Sequence, residues 1–534
     1  MEIFLRKKLF VNGKGPIKGC RIAIVGEQPG RQEVQRGEPF VGPAGSVLSE
    51  CCREAGVPRN ECYVTNVIKD LDHPLEYYLK RDSRGRMTLH DDFNEYKALL
   101  GQELARCSAN VVVAVGNVAL FALTGRWGIT RWRGSVLEST LVPGLKVLPT
   151  LHPATVIPPK MVYTNRYLII FDLKKALLQS QFPQIITPQY PIFLKPTFQE
   201  CVSLLEKAHE VGLTGESIAY DIEVSNLEVS CISFAFRVSG EVMSICIPFT
   251  YWNGDYFTAD QEAQLWLMIA RIIENPLIPK LGQNLVFDGH FLLRKYGIRP
   301  QNLHDCMIAE GITYPDFPKG LHFITSLYTD IPYYKDDGKF WLKGEGNWEA
   351  GWKYNALDSI ACVEAFPKQL KDLEQFGNLE TYEHVRKRIQ PLVYMMERGI
   401  RVDVDGMAQR IKSMEVELEE KRELLCRTAG MELNACSSKQ VMAYFYGMKR
   451  EKPYTNHKTG APTSDDMAMK RLIRKGYEEA RIILDIRGLT KTLGTYLDLT
   501  KIDSDGRLRC SYNPVGTRYS RLSSGESIFG TGCV

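Results

Sequence analysis

Ile218-Ala-Tyr-Asp-Ile-Glu223 is an apolar run that closes on two carboxylates, and its reading decides the centre of the chain. Alternation along an extended strand places Asp221 and Glu223 on the same sheet face. Further strands are predicted at Cys231–Arg237 and Val242–Pro248, with helices from Asp260 onward. Downstream, Leu281-Gly-Gln-Asn-Leu-Val-Phe-Asp288 precedes a helix, and Tyr354-Asn-Ala-Leu-Asp358 lies in a helical context, where residues i and i+4 share a face. The aspartates Asp221, Asp288 and Asp358 are 67 and 70 residues apart. Carboxylates gathered in this way repel one another unless cations neutralise them. Oxygen ligands on a rigid sheet and helix suit Mg²⁺ or Mn²⁺. Two such ions about 4 Å apart can activate water and stabilise the leaving oxygen in phosphodiester cleavage.

Outward from this block the chain divides by composition. Its 534 residues favour about three domains. Charged residues are 24% and hydrophobic ones 44%, which excludes a disordered or fibrous chain. Residues 1–181 alternate strand and helix: strands at Arg21–Val25, Cys62–Val67, Val111–Val115 and Val147–Thr150, helices at Ala44–Ala55 and Tyr96–Arg106. Phe182–Pro196 holds four prolines in fifteen residues and marks a linker, placed at 182–191. The second α/β block spans 192–375, and the region 376–534 turns helical, with a long charged helix at Val404–Ala429.

No apolar run approaches the ~18 residues of a membrane span, and no signal-peptide pattern follows the basic N-terminus. A cytoplasmic protein without a membrane partner is expected. Fourteen cysteines include no CxxC pair, only the adjacent Cys51-Cys52, so neither a disulfide scaffold nor a zinc ribbon is suggested. The net charge of +4 is small, but its distribution is uneven. From Gly377 onward there are 27 Lys and Arg against 21 Asp and Glu, and Lys439–Lys491 alone holds twelve basic and six acidic residues. Such a patch suits a phosphate backbone, although a solvated helix face gives the same count.

The ordered acidic set resembles the 3′→5′ exonuclease domain of family A DNA polymerases, a ribonuclease H-like α/β fold. The resemblance implies that Asp221, Glu223, Asp288 and Asp358 hold two Mg²⁺ or Mn²⁺ ions, that Tyr354 orients the attacking water, and that Asn284 contacts the single-stranded 3′ end. The next region, with Glu432-Leu-Asn-Ala-Cys-Ser-Ser-Lys-Gln440, Lys458-Thr-Gly-Ala-Pro-Thr-Ser464, Arg487-Gly-Leu-Thr-Lys491 and Tyr519-Ser-Arg-Leu-Ser-Ser524, is similar to the thumb and first part of the polymerase domain in the same family. Lys439, Lys458, Arg487, Lys491, Arg518 and Arg521 are the residues expected to grip primer–template duplex there. The chain ends at Val534, before the palm and fingers of that family. No polymerisation by this chain alone is therefore expected, and a separate chain carrying those parts is a possible partner.

In the N-terminal block, Gly26-Glu-Gln-Pro-Gly30, Gly37-Glu-Pro-Phe-Val-Gly-Pro-Ala-Gly45, Tyr63-Val-Thr-Asn66 and Leu151-His-Pro-Ala154 together resemble the family 4 uracil-DNA glycosylases. The resemblance implies a pocket of Glu27, Phe40, Asn66 and His152. In it Phe40 stacks on a flipped base, Asn66 bonds its Watson–Crick edge and His152 stabilises the departing base. The set of four cysteines that binds an iron–sulfur cluster in that family is incomplete. The N-terminal pair is absent and Asp70 stands where another would follow the Asn66 strand, so no cluster is expected. The expected whole is a phage-type replication enzyme whose chemistry in this chain is 3′→5′ exonucleolysis. A glycosylase-type repair enzyme and a non-catalytic DNA-binding replication accessory are the alternatives.

Overall fold

The computed structural model describes residues 10–83, 86–252, 254–336, 347–456, 459–527 and 529. The chain forms two compact units. The first comprises Met1–Asp288, Ile298–Ile389 and Val515–Arg521, and the second Gly289–Gly297, Gln390–Pro514 and Leu522–Val534. No described helix is long and apolar enough to cross a membrane.

Two sheets build the first unit. In the N-terminal one, strands β1 (Ile22–Gly26), β2 (Tyr63–Asn66), β3 (Val111–Val115), β4 (Leu137–Glu138) and β5 (Lys146–Thr150) lie in the order β2-β1-β3-β5-β4. All pairings are parallel except that of β4 with β5. The strands β1, β2, β3 and β5 are buried along their whole length, as expected of a parallel sheet covered on both faces. Helices Pro43–Ala55 and Thr164–Gln179 pack together against it. The first of these begins with Pro43, whose missing N–H costs nothing at a helix start, and stops at Gly56 in the left-handed region.

Residues 182–191 contain no helix or strand. The next strands are β6 (Ile192–Phe193), β7 (Ile218–Ser225), β8 (Glu228–Val238), β9 (Glu241–Pro248), β10 (Lys280–Gly282) and β11 (Leu303–Asp305), in the order β11-β10-β7-β8-β9-β6. The three long strands form an antiparallel meander, flanked by parallel pairings at both ends. A helix of 28 residues, Trp348–Gln375, crosses this sheet and contacts β7, β8 and β9.

The two sheets are not independent. Phe317 and Phe323, from the exonuclease-like half, belong to the same buried apolar cluster as β1, β3 and the helix Thr164–Gln179. The Arg133 guanidinium bonds Asp172 at 3.1 Å and reaches Ser326 Oγ at 2.9 Å.

The second unit is mainly helical. Val404–Ala429 forms the long helix predicted, capped by the Asp403 carboxylate and ended by left-handed Gly430. Leu418 and Leu425 of that helix share a core with Phe445, Leu472 and Ile483, from Asp466–Arg474, Glu478–Lys491 and the turns before them. The multi-domain α/β, α/β, helical arrangement read from the sequence is thus the one observed.

Candidate active site

Strand alternation places Asp221 and Glu223 on the face of β7 that Trp348–Gln375 crosses, and a single turn of that helix presents Tyr354 and Asp358. Ligand oxygens of Asp221, Glu223 and Asp358 all lie within 4.8 Å of one another. Among the described residues this is the one group of three or more such side chains close enough to hold a metal ion. Asp288 is held differently. It sits in the first turn of helix Leu285–Tyr296, and its Oδ1 accepts the Ile222 N–H at 3.1 Å. Three of the four predicted ligands therefore converge, and the fourth is pinned to the backbone of the strand that carries two of them.

Burial is the main influence on these groups. It pushes Asp221 well above the usual carboxylate range, Glu223 up to about 8 and Asp288 up to about 7, with the neighbouring acids adding to the rise for Asp221 and Glu223. Burial raises the Tyr354 phenol as well, and Asp358 and Glu223 reinforce it. A site that charges its acids only against this penalty is one that a divalent cation would complete, and these oxygen donors fit such an ion.

Several residues of the site carry no motif. Asn355 is fully buried, and its Nδ2 donates to the Asp221 Oδ2 at 2.8 Å and to the Asp221 carbonyl at 3.1 Å. Tyr334 Oη donates to Asp358 Oδ1 at 2.6 Å, and Lys335 Nζ pairs with Asp358 Oδ2. Asp305 receives N–H bonds from Asn284, Leu285 and Met307, and so ties together the starts of two helices. Asn284 itself is in the left-handed region at φ +62°, at the turn that leads into the Asp288 helix.

The N-terminal pocket is also assembled. A cavity of about 370 Å³ is lined by Gln28, Glu33, Phe40, Asn66, His152 and neighbours. The Phe40 and His152 rings stack with centroids 6.3 Å apart. His152 Nδ1 accepts the Ala154 N–H at 3.1 Å, which leaves Nε2 to carry the proton of the neutral ring, and burial lowers the pKa further from the charged form. Phe40 adopts φ +56°, a costly conformation for a bulky residue. The Arg59 guanidinium holds it by bonding the Phe40 carbonyl at 2.7 Å, and Gly45 leaves room for that carbonyl. The Glu27 carboxylate accepts the Val118 N–H at 3.2 Å through Oε1, and its charge acts on His152.

An iron–sulfur cluster does not fit here. Asp70 is fully buried and accepts hydrogen bonds from the Tyr78 hydroxyl at 2.5 Å and from the Tyr96 hydroxyl, so the position is closed by oxygen chemistry.

The predicted duplex-binding residues differ among themselves. Lys439, Lys491 and Arg521 are exposed, and Arg518 is exposed but paired with Asp316 at 2.6 Å. Arg487 is partly exposed, and its guanidinium bonds the Ala435 carbonyl at 2.8 Å and Ser464 Oγ at 3.3 Å. Lys458 lies outside the described residues.

Comparisons with known proteins follow the same division. Residues 13–168 match the uracil DNA glycosylase superfamily, 195–374 the 3′-5′ exonuclease of family A polymerases, and 404–527 DNA polymerase family A. The chain is 31% identical to the type-4 uracil-DNA glycosylase of Thermotoga maritima, over 33% of this chain and 84% of that protein. It is 24% identical to the DNA polymerase of Escherichia phage T5 over 58% of this chain and 40% of that protein. DNA polymerase I of Rhizobium leguminosarum is 24% identical over 62% of this chain and 35% of its own length. The chain thus spans well under half of the polymerases it matches. A solved structure described as the POL domain of Pol1 from M. smegmatis in complex with DNA primer-template and dNTP aligns at a TM-score of 0.48 and 20% identity, over 62% of this chain and 54% of that one. The chain carries a domain of the uracil-DNA glycosylase superfamily, and the regions behind it match the exonuclease and polymerase domains of family A DNA polymerases.

Proposed function

We propose that this chain hydrolyses DNA from the 3′ end, as the proofreading nuclease of a replication polymerase. The observation that carries this reading is the convergence of Asp221, Glu223 and Asp358 beside Tyr354 on one helix turn. The three acids, with Asp288 behind them, would hold two Mg²⁺ or Mn²⁺ ions. When bound, such ions supply Lewis acidity to the attacking water and to the leaving oxygen. The Tyr354 hydroxyl orients that water, and Asn355 fixes the Asp221 carboxylate so that the site needs little rearrangement. Attack on the terminal phosphodiester breaks the P–O3′ bond and releases a nucleoside 5′-monophosphate. Lys439 and Lys491 would hold duplex phosphates in the second unit.

The test is the shortening of 5′-labelled single-stranded DNA by the full chain with Mg²⁺. Asp221→Ala should abolish it. Cleavage by that variant within twofold of wild type would refute the assignment.

A second reading concerns the N-terminal cavity. The stacked Phe40–His152 pair supports binding of an unstacked uracil-like base. Binding with little or no glycosidic cleavage is the expected outcome. Uracil release and uracil-over-thymine binding by the full chain, with Asn66→Ala and His152→Ala, measure both.

A further inference from the structure

We propose that Lys335 is a positioning residue of the exonuclease site, and that the glycosylase-superfamily domain is what holds it in place. The inference rests on the exonuclease reading above. Lys335 pairs with Asp358 Oδ2, donates to Tyr354 Oη at 3.1 Å, and its ammonium lies 4.5 Å from the centre of the Tyr354 ring. With Tyr334 on Asp358 Oδ1, two consecutive residues engage both oxygens of one acid and the tyrosine one helical turn before it. The pairing is well covered, the side chains of Lys335 and Asp358 being 16% and 7% accessible.

Two consequences follow from this chemistry. A phenol oxygen that accepts from an ammonium keeps its own O–H free to donate, so Lys335 leaves the Tyr354 hydroxyl polarised and aimed. The same ammonium places a positive charge beside an acid that a cation would use, and so opposes metal binding. Lys335 therefore favours turnover and disfavours affinity for metal.

The residues on either side of Tyr334 and Lys335 are held by the N-terminal domain. The Tyr333 N–H donates to Ser135 Oγ at 3.3 Å, and its ring meets Trp132 edge-on at 5.0 Å. Asp336 pairs with Arg131 at 3.5 Å. Three residues from 131 to 135 thus grip positions 333 and 336, and the two between them reach the catalytic acid. In this chain the glycosylase-superfamily domain forms part of the scaffold of the nuclease site.

The test uses the full chain with Mn²⁺ titration, read by electron paramagnetic resonance of the free ion, beside single-turnover cleavage of single-stranded DNA. Lys335→Ala should lower the cleavage rate about 10- to 100-fold, the usual effect of losing an orienting partner. It should bind Mn²⁺ roughly tenfold more tightly, the size of one nearby charge. Lys335→Arg, which keeps charge and donors, should restore the rate to within about threefold. Trp132→Ala should move both quantities in the same directions by smaller factors. A rate unchanged in Lys335→Ala, a rate lost together with Mn²⁺ binding, or no effect of Trp132→Ala on either quantity would overturn the proposal. If wild type itself does not cleave, the exonuclease reading fails instead.

Discussion

Asn355 donates twice to Asp221, at 2.8 Å to its carboxylate and at 3.1 Å to its carbonyl, and so locks the helix Trp348–Gln375 to the strand that carries the acids. The Ser233 hydroxyl in turn donates to the Asn355 carbonyl at 2.9 Å, from the strand paired with the first. The position of one acid of the cluster is therefore set by a neighbouring asparagine.

Asn355→Ala should reduce cleavage about 10- to 100-fold with little change in KM for DNA. It leaves a half-buried acid without its donor, which costs about 1–3 kcal/mol of stability. Thermal melts beside steady-state kinetics check both, and a change in KM alone would contradict the role.

Metal binding should depend on pH. Glu223 and Asp288 are held up to about 8 and about 7 by burial, whereas in the unfolded chain they lose their protons in the usual carboxylate range. Between that range and the raised values the folded chain binds more protons, so its stability falls as pH rises. A divalent ion displaces those protons and reverses the trend. Melting temperature in EDTA should fall from pH 5 to pH 8, and the gain on adding Mn²⁺ should be larger at pH 8 than at pH 6. Calorimetry in buffers of different ionisation enthalpy should show proton release at pH 6.

Gly45→Ala should weaken the N-terminal pocket. A Cβ there would lie 1.9 Å from the Phe40 carbonyl oxygen, far inside contact distance. The chain must move Phe40 to relieve the clash, at a cost of about 1–3 kcal/mol. Uracil-over-thymine discrimination should be lost in DNA binding while 3′ cleavage persists.

Asp70→Ala should destabilise the first unit strongly, by about 2–5 kcal/mol, because it strands the Tyr78 and Tyr96 hydroxyls in the core. Asp70→Asn, which still accepts from one hydroxyl, should lose less. Denaturant titration distinguishes them.

Arg487 and Lys491 should separate by assay. Arg487→Ala removes the clamp on Ala435 and Ser464 and should lower stability of the second unit. Lys491→Ala should leave stability unchanged and reduce the salt slope of duplex binding by about one. Equal salt slopes for Lys491→Ala and wild type would remove Lys491 from the interface.

The legible parts of the site are those with local periodicity. Asp221 and Glu223 follow from strand alternation, and Tyr354 with Asp358 from the helical repeat, so the sequence places each pair on its face. Asn355 lies between two motif residues, but no spacing rule separates a buried asparagine that grips a distant strand from one in solvent. Tyr334 and Lys335 stand in a segment without periodicity and meet Asp358 only through the tertiary fold. The stretch Arg487-Gly-Leu-Thr-Lys491 suggests a grip on DNA, but no sequence pattern shows that the Arg487 guanidinium also bonds the Ala435 carbonyl. The motif that suggests Glu27 for the pocket does not show that its carboxylate also serves the start of helix Asn117–Thr124.

The shared core of the first unit bears on how this chain comes apart. Residues 182–191, without helix or strand, are the natural place for a protease to nick. Yet a nick there would not release the N-terminal piece. Phe171 sits edge-on to Tyr314 at 5.8 Å and to Phe317 at 6.3 Å, and the Lys175 ammonium bonds the Thr329 carbonyl at 2.6 Å. The two fragments should co-elute after digestion and separate only in denaturant, whereas the first 181 residues expressed alone would expose that aromatic seam to solvent and aggregate.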